Sequence, residues 1–191
     1  MHPDYLHDLQ FKDITFTEEA IKFKDYENCT FVNCDFRNCL FQTVTFIDCT
    51  FLDCNFADTK INYVSLRDVF FTKCNFTNVN FAMTDQVIFD FSFKDCLLDY
   101  AKFYALKLKK MQFINCSMVA VDFMASDLTE VVFDNCNLRH AVFIDTIANK
   151  ADFTTSYDYV IDPEKNKLKK AQFSVDGLKG LLMKYDIVVK N

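Results

Sequence analysis

Nine cysteines are the residues with the most chemistry to offer in this 191-residue chain, and their spacing decides what that chemistry can be. They stand at Cys29, Cys34, Cys39, Cys49, Cys54, Cys74, Cys96, Cys116 and Cys136. None forms a C-x-x-C pair, the spacing of thiolate metal sites and redox pairs. The three histidines, His2, His7 and His140, are scattered and supply no partner for a metal or a thiolate. Two glycines leave no glycine-rich loop that could cradle a phosphate or a dinucleotide. A formal charge of −6 argues against nonspecific binding to nucleic acid. No nucleophile–base pair, cleft carboxylate pair or cofactor motif is found, so the expectation is a protein that is not an enzyme and takes no metal and no cofactor.

What the cysteines share is a phase. Phe recurs every five residues through Phe31, Phe36, Phe41, Phe46, Phe51 and Phe56. The phase extends back to Phe11 and forward to Phe81, slips by two residues, resumes at Ile88 and Phe93, and closes at Phe153, with every site apolar. All nine cysteines lie two residues before a site of this column. Chance placement into one of five phases would do that roughly once in two million trials, so the repeat is real. The other positions carry Asp, Asn, Thr, Lys and Ser. Two inward and three outward positions per five residues fit neither a helix nor a simple alternating strand.

A period of 20 overlies the period of five. Phe11, Phe31, Phe51, Phe71, Phe93, Phe113, Phe133 and Phe153 follow at that spacing, with one 22-residue step that absorbs the slip. Like residues recurring every 20 means four five-residue sides to a coil. The extra residues form a bulge at one corner, near Thr84 to Val87. Phe fills the axis, small Cys, Ala or Val fits beside it, and the backbone pairs from coil to coil.

Units such as Cys34-Asp35-Phe36-Arg37-Asn38, Cys54-Asn55-Phe56-Ala57-Asp58 and Ala151-Asp152-Phe153-Thr154-Thr155 resemble the motif of the pentapeptide repeat proteins. The resemblance covers Tyr26 to Phe153. It implies an all-β fold, a right-handed quadrilateral β-helix, with coils about 4.8 Å apart and a tower on the order of 34 Å long. The expected organisation is an N-terminal cap over 1–25, in which Glu19 and Lys24 break the pattern, a repeat tower over 26–155, and a C-terminal module over 156–191. In that module Ser174 is a candidate N-cap. Val175 to Lys184 reads as a short helix presenting Leu178, Leu181, Leu182 and Tyr185, Gly177 and Gly180 suggest close packing, and Asp186 to Lys190 reads as a short strand. This ending is similar to that of the Qnr-type quinolone-resistance proteins, in which a C-terminal helix joins two towers. The resemblance therefore implies a homodimer, with the cap of a monomer as the other reading.

Cysteines one coil apart would sit at disulfide distance but point the same way, so core packing is expected of them. Nine reduced thiols, no apolar run long enough for a membrane span and no signal peptide point to a cytoplasmic protein. Two surface features are candidate partner surfaces. Asp48, Asp68 and Asp90 stack on one side until Lys107, Lys109 and Lys110 interrupt them. Tyr104, Met124 and Ile144 form an outward apolar column, for which residues 156–173 are a candidate cover. The resemblance implies a DNA-like rod that binds DNA gyrase or topoisomerase IV and protects it from quinolones, with no direct nucleic-acid contact and no membrane partner. The charge is modest for that role, since a duplex of about 34 Å carries on the order of 20 charges. One subgroup of Qnr-type proteins carries projecting loops that matter for protection. The two-residue slip is too short for such a loop, although loop-free relatives exist. The alternative is a scaffold for an unrelated cytosolic protein.

Overall fold

The computed structural model describes residues 4–87 and 90–188, and these form one parallel β-coil with four sides. The first face is a four-stranded sheet of Asp4–His7, Lys24–Glu27, Thr45–Ile47 and Ser65–Arg67. The second is a seven-stranded sheet that runs from Gln10–Lys12 through Thr50–Leu52 and Phe91–Lys94 to Val132–Asp134. The third is held by single bridges, Thr15 to Asp35 to Asn55 to Asn75 and on to Tyr157. The fourth pairs Leu40–Gln42 with Lys60–Asn62 and continues by bridges from Asn80 to Val142.

The axis is filled by aromatic rings stacked from coil to coil. Phe31 lies 4.5 Å from Phe51, Phe51 lies 5.1 Å from Phe71, and Phe113 lies 5.3 Å from Phe133, centroid to centroid and nearly parallel. Neighbouring columns meet edge to face, as Phe36 meets Phe31 at 5.9 Å. A void of about 10 Å³ lined by Phe51, Phe56, Ile61 and Leu66 is barely the size of one water and offers it no polar partner.

The corners explain how a chain with two glycines turns so often. The residue two places after the axial Phe adopts a left-handed backbone at nearly every corner, and the residue there is most often Asp or Asn: Asp13, Asn28, Asn33, Asn38, Asp48 and Asp53 are examples. These are the side chains that tolerate this conformation best after glycine. At several corners they also form ladders. Asn28 donates to Asp8 at 2.6 Å, Asn33 to Asp13 at 2.7 Å, and Asn135 to Asn115 at 3.0 Å. The residue before the axial Phe holds the turn that follows it, as Asp35 Oδ1 accepts from the Arg37 N–H at 3.0 Å and Asn55 Oδ1 from Ala57 at 3.1 Å. Thr43 occupies a corner at φ 52° with a β-branched side chain and an exposed surface. Thr43→Asn is therefore expected to stabilise the protein by about 1 kcal/mol, read as a higher denaturation midpoint.

Three segments differ from the sequence reading. First, the N-terminal coil is regular, since Asp4–His7 pairs with Lys24–Glu27 in the 20-residue register. A four-residue helix, Glu18–Ile21, capped by Thr17, carries Glu19 outward to an ion pair with Lys22 at 2.6 Å while burying Ile21. Second, the coil runs past the expected boundary at 155 by the further turn that the repeat phase of Leu168 and Phe173 allows, because Ile147 bridges Lys167 and Asp152 bridges Gln172, and Phe173 stacks on Phe153 at 5.2 Å. Residues 165–173 thus add another rung and do not fold back over the Tyr104 column. Third, the terminal helix is shorter than expected, Leu178–Leu182, followed by a 3-10 turn at Met183–Tyr185. Ser174 Oγ accepts from the Gly177 N–H at 3.0 Å in the turn before that helix. Asp186 closes it in a left-handed conformation, so no strand begins there, and Val189 and Lys190 lie outside the described residues. A Cβ on Gly180 would stand 2.0 Å from the Tyr159 carbonyl oxygen, so the helix seats against the coil only with glycine there.

The slip is placed by backbone pairing. The Asp85 N–H reaches the Val64 carbonyl in the old register, and Phe71 pairs with Phe93 in the new one. The extra residues therefore fall between Asp85 and Asp90, slightly later than the sequence suggested. Ile88, where the phase resumes, lies outside the described residues.

Candidate functional site

All nine cysteines are buried and unpaired by disulfides. Their thiols point at backbone carbonyls of the preceding coil: Cys54 Sγ donates to the Phe31 carbonyl at 3.5 Å and Cys136 to Phe113 at 3.3 Å. Where the repeat places a hydroxyl instead, it makes the same bond. Thr59 donates to Phe36 at 2.7 Å, Thr146 to Phe123 at 3.0 Å and Ser156 to Phe133 at 2.8 Å. The position takes a buried side chain beside the ring, Val or Ala as readily as Cys, and a thiol or hydroxyl there adds one weak hydrogen bond to the preceding coil, which is a structural role. Burial pushes the Cys34, Cys39 and Cys49 thiols up, that of Cys49 to about 12, so they are poor nucleophiles at neutral pH. Among the described residues no cluster of His, Cys, Asp or Glu could hold a metal ion.

What can meet a partner is therefore outside the coil. Asp48, Asp68 and Asp90 are all exposed and follow one another along the corner between the first and second faces. The Asp48 N–H bonds the Arg67 carbonyl at 2.9 Å, and the Val69 N–H bonds the Asp90 carbonyl at 3.1 Å, which fixes them on successive rungs. None makes an ion pair among the described residues. Partial burial and then the negative charge of Asp68 hold the Asp90 carboxyl above the usual carboxylate range.

Tyr104 and Ile144 are exposed and Met124 half-buried, beside the corner between the fourth and first faces. The sequence reading missed how far this edge runs. Phe23, Tyr63 and Met83 occupy the same edge on earlier rungs, and Tyr63 is 71% exposed. The signal was present at 20-residue spacing, one position along from the Tyr104 column. Lys22 and Asp145 stand in these two columns at the ends of the edge, and between them no charged residue interrupts it.

In the terminal helix, Leu181 turns onto the axial cluster and Leu182 is half-buried. Leu178, Met183 and Ile187 face outward, and Tyr185 donates to Glu164 at 2.8 Å while its ring stays exposed. Lys184 pins the segment to the last coil through Asp162 and Glu164, each at 2.6 Å. An open depression of about 420 Å³ lies beside it, lined by Arg139, His140, Tyr159, Asp176 and Lys179. Among the described residues no helix is long and apolar enough to cross a membrane.

A filled axis, short parallel rungs and a five-residue side define a quadrilateral β-solenoid, a class that works through its outer faces. The chain belongs to the pentapeptide repeat family: the family model described as a pentapeptide repeat region matches residues 24–103 and 86–157. Among solved structures it is similar to QnrB1, described as a plasmid-mediated fluoroquinolone resistance protein. A trypsin-treated variant of QnrB1 aligns with a TM-score of 0.58 at 16% identity, covering 97% of this chain and 99% of that one. Full-length QnrB1 aligns with a TM-score of 0.51 at 16% identity, covering 96% and 100%. No curated protein matches the chain in sequence. The expected fold and the Qnr-like resemblance are borne out. At this identity the likeness speaks for the fold alone.

Proposed function

We propose that the protein is a non-catalytic scaffold that binds the DNA-binding surface of DNA gyrase or topoisomerase IV and shields it from quinolones. The observation that carries this is the column of unpaired carboxylates at Asp48, Asp68 and Asp90. It offers one negative charge per rung of about 4.8 Å, against one phosphate per about 3.4 Å of duplex axis on each strand. The Qnr-like architecture supports the reading. In it, two towers join end to end through Leu178, Leu182, Tyr185 and their exposed neighbour Met183, with Leu181 anchoring the helix from below. The working compartment is the cytoplasm, where the nine thiols stay reduced.

The test is a gyrase supercoiling assay with and without a fluoroquinolone. The protein should restore supercoiling under drug, and the variant carrying Asp48→Lys and Asp68→Lys should need at least about ten times more protein for the same rescue. No effect of the natural chain in either arm overturns the proposal. The uncharged edge from Phe23 to Ile144 favours a second reading, a scaffold for an unrelated protein. A partner lost on Tyr63→Asp with Tyr104→Asp, and kept on Asp48→Lys, would identify that use.

A further inference from the structure

The first face reverses its charge halfway along the tower. Its N-terminal half presents Asp25, Glu27, Asp48, Asp68, Asp85 and Asp90, opposed by Lys24 and Arg67. Its C-terminal half presents Lys107, Lys109, Lys110, Lys167, Lys169 and Lys170, all exposed, with Lys150 and Lys165 beside them. Asp127, Glu130 and Asp145 are the acids of that half. The register places both halves on one surface. Asp25 pairs with Thr45 and Thr45 with Ser65; Ser65 Oγ donates to Asp85 at 3.1 Å; Lys107 bridges Asp127, Ile147 and Lys167 in turn.

Internal pairing leaves most of this charge unspent. Lys109 reaches Asp127 at 3.2 Å and Lys150 reaches Glu130 at 2.6 Å. Among the described residues, Lys107, Lys110, Lys165, Lys167, Lys169 and Lys170 have no carboxylate partner. The fourth face carries a sparser reversal of the opposite order, Lys22, Lys60 and Lys102 and then Asp122, Asp162 and Glu164, about one charge per rung against the clustered charges of the first face.

We infer that the first face is a docking surface for a second copy of this chain, laid side by side and antiparallel. A two-fold axis through the middle of the face sets the acidic half of each copy on the basic half of the other. A polyanion would meet repulsion over half of the face, and so would a polycation. The antiparallel copy is complementary along its whole length. Eight rungs of about 4.8 Å and a side of about 15 Å give roughly 600 Å² per copy, so roughly 1,200 Å² in total, the lower bound of a specific interface. The pairing is electrostatic, so it strengthens as salt falls. It also covers Asp48, Asp68 and Asp90, so a partner that uses those carboxylates must compete with the dimer.

The test is sedimentation velocity and small-angle scattering on the full chain at about 20 mM and about 500 mM salt, where the screening length falls from about 20 Å to about 4 Å. The background is Leu178→Asp with Met183→Asp, which removes the end-to-end contact. In low salt the mass should double from 22.4 kDa with little gain in length, and in high salt it should return to the single chain. Lys107→Glu with Lys110→Glu should weaken association at least about tenfold, as should Asp48→Lys with Asp68→Lys. Mixing these two charge-swapped variants should restore a dimer, because the unaltered acidic half of the first then meets the unaltered basic half of the second. A single-chain mass at every salt, association that ignores both reversals, or a mixture that stays monomeric overturns the inference.

Discussion

Replacing Phe51 by alanine is expected to cost the tower about 3–5 kcal/mol. The ring is fully buried and stacks on Phe31 at 4.5 Å and on Phe71 at 5.1 Å. It also meets Phe46 and Phe56 edge to face at 5.2 and 5.3 Å. Its removal loses both the transfer free energy and the contacts with these rings and with Phe36 at 6.1 Å. The rungs are held in register by backbone bonds above and below, so they cannot collapse into the space. In a solenoid each rung touches only the next, and a break in the middle weakens two interfaces at once. Phe51→Leu should cost less than about 1.5 kcal/mol, since it keeps most of the volume. Phe11→Ala should fall below the Phe51→Ala value, because Phe11 is only half-buried at the first coil. Denaturant midpoints of the three variants decide the matter. A cost under about 1 kcal/mol for Phe51→Ala would mean that the axis is not the source of stability.

The axial column could be read from the chain because its chemistry is one-sided: only apolar residues survive at a position closed on all sides. The same holds for the cysteine column, where a small side chain must fit beside a ring. The corners were harder. Asp13, Asn28, Asn33 and Asn38 read as ordinary solvent-facing polar residues, yet their type answers to a backbone angle, and nothing in hydropathy records an angle. Glu19 misled in the opposite way. A charge at an inward position suggested an irregular cap, whereas four residues of helix rotate it outward and the 20-residue register continues unbroken.

The candidate surfaces were only partly readable, for a related reason. A column is visible in sequence when its residues repeat in type, as at Asp48, Asp68 and Asp90. The reversal of the first face needs three outward columns added together, and Lys107, Lys109 and Lys110 then read as an interruption and not as the start of a basic half. The apolar edge was truncated because Met83 and Tyr104 stand on adjacent columns across the slip. Gly177 and Gly180 did announce close packing, but not that Tyr159, far upstream, is what they pack on, and a helix as short as Leu178–Leu182 does not let periodicity show that Leu181 turns inward while Leu178 faces out.

Alkaline pH should destabilise this protein as its buried Cys49 thiol ionises. The Cys49 thiol is pushed from 9.0 up to about 12, mainly by burial, and burial raises the Tyr26 hydroxyl in the same direction. The folded state therefore holds these protons more tightly than the unfolded chain does. The stability they contribute is complete below the unfolded value and is lost as pH rises through the folded one. For Cys49 alone the window opens near pH 9 and amounts to about 4 kcal/mol by pH 12. Cys34 and Cys39 add losses of the same sign, again through burial. The carboxylates act at the other end of the scale. Asp35, held low by Arg37, stabilises only above its unfolded value, and that pair is largely exposed, so its acid-side loss is small. Denaturant midpoints should be flat from pH 6 to about 8.5 and fall steeply above pH 9. Cys49→Ala should lower the plateau and shallow the alkaline slope. At pH 8 a thiol reagent should label Cys49 in the native chain at least about a thousandfold more slowly than in the unfolded one, because the buried thiol holds that much less thiolate. Rapid native labelling, or a midpoint unchanged at pH 11, would show that the thiol column is wet and that the carbonyl of each preceding coil is not its partner.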